Sequence, residues 1–155
     1  MSLEKAVLFI FMYLYAMIEK AENIKLILVD DHELVRTGFK SLLMLEKDIE
    51  LIGEAYNSES FFSLLESGIP DVVVLDIEMP GLSGIEIAYK LEEDYPQIKK
   101  ILLSANITKK SIAEAIDAGV LGILPKTCTR DEYIAAIRKA YVGDAYYNSF
   151  VADLI

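Results

Sequence analysis

Short apolar runs alternate with amphipathic stretches from Ile24 onward. IKLILV, Ile24 to Val29, predicts a first strand, and IELIGEA, Ile49 to Ala55, an alternating second one. Val72 to Leu75 is an uninterrupted β-branched and aliphatic run, which reads as a third strand covered on both faces. KILL, Lys100 to Leu103, and Gly122 to Leu124 supply a fourth and a short fifth. Between them the apolar positions fall at helical spacing over 32–45, 58–67, 84–95 and 108–119, and a last helix runs from Thr129 to Gly143. Ser58, Thr108 and Thr129 are predicted to open helices, and Gly68, Pro96 and Gly119 to stop them. Five strands alternating with five helices, joined by short connections, predict one α/β domain. Its sheet is parallel and doubly wound, with helices on both faces.

The beginning of the chain departs from this pattern. Ala6 to Ile18 carries no charge, yet falls short of the roughly 18 apolar residues needed to span a bilayer. Residues 1–23 are therefore set apart as an apolar extension, with four readings. They are vector-derived, since Met1-Ser2-Leu3 resembles an expression start, or an upstream mis-start ahead of Met17. They are a helix that packs on a partner, having no polar face of its own, or a signal peptide lacking a convincing cleavage site.

Composition narrows the chemistry. The 155 residues suffice for one full core, and 54% are hydrophobic, which excludes a disordered tail. A formal charge of −10 argues against this chain by itself clamping a phosphate backbone. Cys128 is the only cysteine and His32 the only histidine. A disulfide framework, a Cys- or His-rich zinc site, and Ser-His-Asp or Cys-His catalysis are thus unsupported, and the cysteine usage fits a reducing cytoplasm. No glycine-rich phosphate loop follows the first strand.

The remaining signal lies at strand ends. In an open parallel sheet, ligands bind outside the carboxyl ends of the strands where strand order reverses. Asp30 and Asp31 follow strand one, Asp76 follows strand three, Ser104 strand four and Lys126 strand five. In the order 2-1-3-4-5, with neighbouring strands about 4.8 Å apart, these groups converge. Crowded carboxylates need a cation, and hard oxygen ligands without His or Cys suit Mg²⁺. Carboxylates, Mg²⁺, an ammonium and a hydroxyl together suit a phosphoryl group, with one carboxylate as nucleophile. Taken singly, each residue has a plainer reading: Asp30, Asp31 or Asp76 as a cap or turn former, Ser104 as a solvated strand end, Lys126 as a surface lysine.

The motifs VDDH (Val29 to His32), LDIEMPGLSG (Leu75 to Gly84), LSA (Leu103 to Ala105) and GILPKT (Gly122 to Thr127) resemble the receiver domain of bacterial two-component response regulators. The resemblance covers roughly Ile24 to Gly143. It implies a flavodoxin-like, CheY-like fold and a reversible aspartyl-phosphate on Asp76, donated by a sensor histidine kinase. It further implies Mg²⁺ held by Asp31, Asp76 and the backbone carbonyl of Glu78, with Asp30 acting through the metal's water shell. Lys126 would contact the phosphoryl oxygens, and Ser104 would turn inward as the switch. Glu78 and Asn106 match positions that tune phosphoryl lifetime, or are plain loop polarity. Such a domain transfers a phosphoryl group only to and from itself.

Two positions depart from that family. Its switch includes an aromatic residue on strand five, where Ile123 stands here. Its lysine is often followed by a cis proline, whereas here Pro125 precedes Lys126 and Thr127 follows. VDDHELVRTGFKSLL (Val29 to Leu43) and the tail Gly143 to Ile155 resemble the NarL/FixJ-type subgroup. They imply a receiver over 24–143, a linker beginning over 144–155, a homodimer, and contact with DNA only through a helix-turn-helix output domain absent from these residues. The alternatives are a stand-alone receiver acting by protein contact, an unphosphorylated binding module, or a Mg-dependent phosphatase with an Asp nucleophile.

Overall fold

In a computed structural model, which describes residues 1–21 and 23–155, the five strands form one parallel sheet in the order β2-β1-β3-β4-β5. They are β1 (Ile24–Val29), β2 (Ile49–Ala55), β3 (Val72–Asp76), β4 (Lys99–Ser104) and β5 (Gly122–Pro125). The period of two along each strand sorts the side chains into two cores. Ile27, Val29, Val73, Leu75 and Leu102 face one side, while Leu26, Leu28, Val72, Val74, Ile101 and Leu103 face the other. All of β3 is buried, as its lack of alternation requires.

Helices α3 (Ser58–Leu65), α4 (Gly84–Asp94) and α5 (Lys109–Asp117) cover the first side. α2 (Glu33–Leu43) and α6 (Arg130–Tyr141) cover the second. Capping boxes at Ser83, Thr108 and Thr129 start α4, α5 and α6. Gly119 and Gly143 follow the ends of α5 and α6 at φ of 74° and 85°, a left-handed conformation that relieves the terminal carbonyls.

Several boundaries differ from the sequence reading. Asn57, not Ser58, caps α3: its side chain accepts from the Ser60 backbone N–H at 2.8 Å, and the Ser60 hydroxyl completes the box. α3 ends at Leu65, and Gly68 takes no left-handed turn. Asp76 and Ser104 are the last residues of β3 and β4 rather than the residues after them.

The helices among the described residues number seven, not five. α1 (Leu3–Ala21) occupies the apolar extension, and its large side chains from Leu3 to Ile18 are exposed. No helix among the described residues is long and apolar enough to cross a membrane. The seventh, α7 (Ser149–Leu154), lies in the tail read as a linker. It docks through the fully buried Val151, and the Tyr146 backbone N–H donates to the Leu121 carbonyl at 2.8 Å beside β5.

One glycine ties the fold to the strand ends. A β-carbon at Gly84 would overlap the carbonyl oxygen of Asp76, whereas one at Gly38, inside α2, would meet nothing within 4 Å. Gly84→Ala should therefore lower stability by about 2–4 kcal/mol, because backbone must move. Gly38→Ala should raise it by about 0.5–1 kcal/mol, as alanine does in a helix interior. Urea unfolding midpoints of the two variants check both signs.

Candidate phosphoryl and metal site

The register of the sheet assembles the site. Val29 pairs with Leu75 and Asp76 with Leu103, while Ser104 pairs with Pro125. The residues that end or follow β1, β3, β4 and β5 therefore share one edge of the sheet. The Lys126 backbone N–H donates to the Ser104 carbonyl at 2.9 Å, carrying the β4–β5 ladder into the site.

Asp30 and Asp76 are wholly buried. Lys126 lies between them, its Nζ 3.0 Å from Asp76 Oδ2 and 3.1 Å from Asp30 Oδ2. These are ion pairs by distance, yet both oxygens lack a well-formed hydrogen bond, as does Asp31 Oδ1. The other Asp76 oxygen, Oδ1, accepts from the Glu78 backbone N–H at 3.1 Å. Asp30 Oδ1 accepts from the His32 backbone N–H at 2.8 Å, and Arg36 Nη1 donates to the Asp30 carbonyl at 2.6 Å.

Burial raises the Asp76 carboxyl from its ordinary value to about 7. Contact with Lys126 opposes that rise and the neighbouring Asp30 charge adds to it. Burial would by itself lower the Lys126 ammonium, but its bonds to Asp76 and Asp30 outweigh it and hold the ammonium above its ordinary value.

One lysine thus faces a cluster of acids, and that imbalance is what a cation would relieve. Ligand atoms of Asp30, Asp31, His32 and Asp76 lie within 4.8 Å of one another. Three of them are carboxylates with a buried oxygen that makes no well-formed hydrogen bond, a donor set that fits a hard divalent ion such as Mg²⁺. His32 was not expected here. As a lone histidine it carries no metal-site pattern, yet its adjacency to Asp31 in VDDH brings its Nδ1 to 3.0 Å from Asp31 Oδ1.

Ser104 is fully buried rather than solvated. Its hydroxyl donates to Glu78 Oε1 at 2.7 Å and accepts from the Asn106 backbone N–H at 3.0 Å. Glu78, Ser104 and Asn106 therefore form one hydrogen-bonded unit beside Asp76. Its Ser104–Glu78 bond joins residues 26 apart in sequence, and no local pattern announces it. Ile123 is buried in the core between the sheet and α5, apart from this polar group. The peptide bonds among the described residues are trans, including that from Lys126 to Thr127. Cys128 is held by burial at a thiol value of about 11, so it stays protonated and unreactive near neutral pH.

Comparison with known proteins agrees with this geometry. The family model of the response regulator receiver domain matches residues 26–138. The response regulator protein VraR of Staphylococcus epidermidis is 34% identical over 124 residues, covering 80% of this chain and 59% of that protein. VraR of Staphylococcus aureus is 34% identical over 125 residues, covering 81% and 60%. The chain thus spans about three-fifths of the length of these relatives.

Among solved structures, the signal receiver domain of NarL from Mycobacterium tuberculosis superposes with a TM-score of 0.74 at 30% identity. It covers 79% of this chain and 98% of that one. A LuxR-family two-component response regulator from Aurantimonas gives 0.81 at 25% identity, covering 86% and 95%. Sheet order, acidic cluster and family match agree: the chain belongs to the response regulator receiver domain family.

Proposed function

We propose that this receiver takes a phosphoryl group onto Asp76 from the phosphohistidine of a sensor histidine kinase, and that the transfer changes its protein contacts. The observation that carries this reading is the buried Asp76 carboxylate, 3.0 Å from Lys126 and set among acids with oxygens that lack well-formed hydrogen bonds. Its Oδ2 meets the protein only through the Lys126 ammonium, which leaves that oxygen as the one to form a new bond. The reading extends over residues 24–143.

Asp31, Asp76 and the Glu78 backbone carbonyl would hold Mg²⁺, with Asp30 acting through water. Bound there, the ion supplies positive charge to the crowded carboxylates and to the incoming phosphoryl oxygens. An Asp76 carboxylate oxygen forms a bond to phosphorus while the phosphorus–nitrogen bond to imidazole breaks. The bonding pair stays on the imidazole nitrogen, which then takes a proton from solvent. Lys126 exchanges part of its contact with Asp76 for the phosphoryl oxygens. Hydrolysis of the acyl phosphate later returns Asp76, so the protein turns over no external substrate.

Ser104 and Ile123 form the switch in this reading. To donate to the phosphoryl group, the Ser104 hydroxyl must leave Glu78 Oε1. Glu78 therefore opposes the switched state, and with Asn106 it would tune phosphoryl lifetime. Ile123, aliphatic and buried, can repack but has no ring to rotate. The relatives' greater length leaves room for a DNA-binding output domain outside these residues. In this reading the receiver works as a cytoplasmic homodimer that controls transcription through it.

Incubation with Mg²⁺ and a small acyl phosphate should add about 80 Da to the intact mass. The addition should require Mg²⁺ and vanish in Asp76→Asn. No adduct on a folded protein would favour an unphosphorylated binding module. An Asp76 carboxyl raised to about 7 also has a signature without metal. Between about pH 4 and 7 the folded state binds more protons than the unfolded chain, so ionising Asp76 makes stability fall as pH rises. Relative to Asp76→Asn, the wild-type protein should lose on the order of 1–3 kcal/mol across that window in urea titrations.

A further inference from the structure

A cavity of about 370 Å³ lies next to the switch, lined by Ala105, Asn106, Ile107, Pro125, Thr127 and Phe150. Five of these flank the two groups that would touch a phosphoryl group. Ala105 to Ile107 continue directly from Ser104, and Pro125 and Thr127 bracket Lys126. Only Phe150 comes from elsewhere, from the first turn of α7.

α7 is secured at two places and loose at a third. Val151 is fully buried, in the core cluster that includes Ile112, Ala115 and Ile123, with Ile107, Tyr147 and Leu154 packed against it. The Asn148 side chain accepts from the Val151 backbone N–H at 2.9 Å, and the Tyr146 backbone holds β5 through Leu121. Phe150 by contrast is 53% exposed, with its ring at the cavity wall. A large apolar side chain half in water beside a space walled in part by Ala105, Ile107 and Pro125 has a favourable direction to move.

We propose that α7 is an intramolecular reporter of the phosphoryl state, with Phe150 as the residue that positions it. The proposal rests on the phosphorylation of Asp76 argued above. When Ser104 leaves Glu78 for the phosphoryl group, the Asn106 backbone N–H that donates to its hydroxyl moves with it. Ala105 to Ile107 then shift toward the strand ends, the cavity deepens, and the Phe150 ring enters it. α7 is thereby pinned more tightly along the edge of the sheet. Ile123, with no ring of its own, leaves this relay to a side chain from the tail. The coupling is reciprocal: a docked Phe150 favours the inward position of Ser104 and prolongs the phosphoryl group.

Hydrogen–deuterium exchange over Ser149 to Ile155, with phosphoryl occupancy read from intact mass on the same sample, tests this. Phosphorylation should slow exchange in the wild-type segment by about fivefold or more. Phe150→Ala should still take up phosphate, lose the slowing when compared at matched occupancy, and dephosphorylate faster. Phe150→Leu, which keeps apolar bulk, should recover most of both effects. Wild-type exchange unchanged within about twofold at high occupancy would overturn the proposal, as would a Phe150→Ala response equal to wild type. Absence of the phosphate adduct would instead overturn the underlying reading, and this inference with it.

Discussion

Buried acids around a single ammonium set the terms for the rest of this molecule. Asp30 and Asp76 are excluded from water yet share Lys126, and the oxygens facing it are not fully satisfied. Removing a carboxylate from water is costly unless it is paired and hydrogen-bonded. The fold bears that cost with a tightly packed sheet, in which every residue of β3 up to Asp76 itself is buried. Repulsion among the acids is thus concentrated where a cation would relieve it.

The same constraint explains the groups around the acids. Gly84 is needed because α4 begins against the Asp76 carbonyl, leaving no room for a side chain. The Glu78 backbone steadies one Asp76 oxygen, and its side chain accepts from the Ser104 hydroxyl. Ser104 is a satisfied donor with a partner to lose. In the proposed switch its position would turn on which acceptor binds it better, a carboxylate or a phosphoryl oxygen.

Much of this was legible in the sequence, for definite reasons. The β3 run is unbroken because both its faces are covered, and that identified a central parallel strand and the acid ending it. The other strand-end residues, Asp30, Asp31, Ser104 and Lys126, followed from the geometry of parallel sheets. What escaped depends on distant contacts or on short signals. The Ser104–Glu78 bond joins the end of β4 to the loop after β3, the role of Asn57 as a cap hinged on one position, and His32 had no partner at metal-ligand spacing. α7 lies where the family resemblance implied a linker; six residues are too few for periodicity to show a helix, and this one buries Val151. α1 shows the converse: its apolar character was plain, but its exposed, all-round apolar surface has no counterpart in an amphipathic pattern.

The central claim is that the phosphoryl group resides on Asp76 and nowhere else in the acidic cluster. Reducing the phosphorylated protein with borohydride, a hydride donor that converts an aspartyl phosphate to homoserine, marks the residue permanently for peptide mapping. The account predicts homoserine at position 76 alone, in proportion to the phosphate added. Homoserine at position 30 or 31, or a phosphate that survives reduction on Ser104, would contradict it.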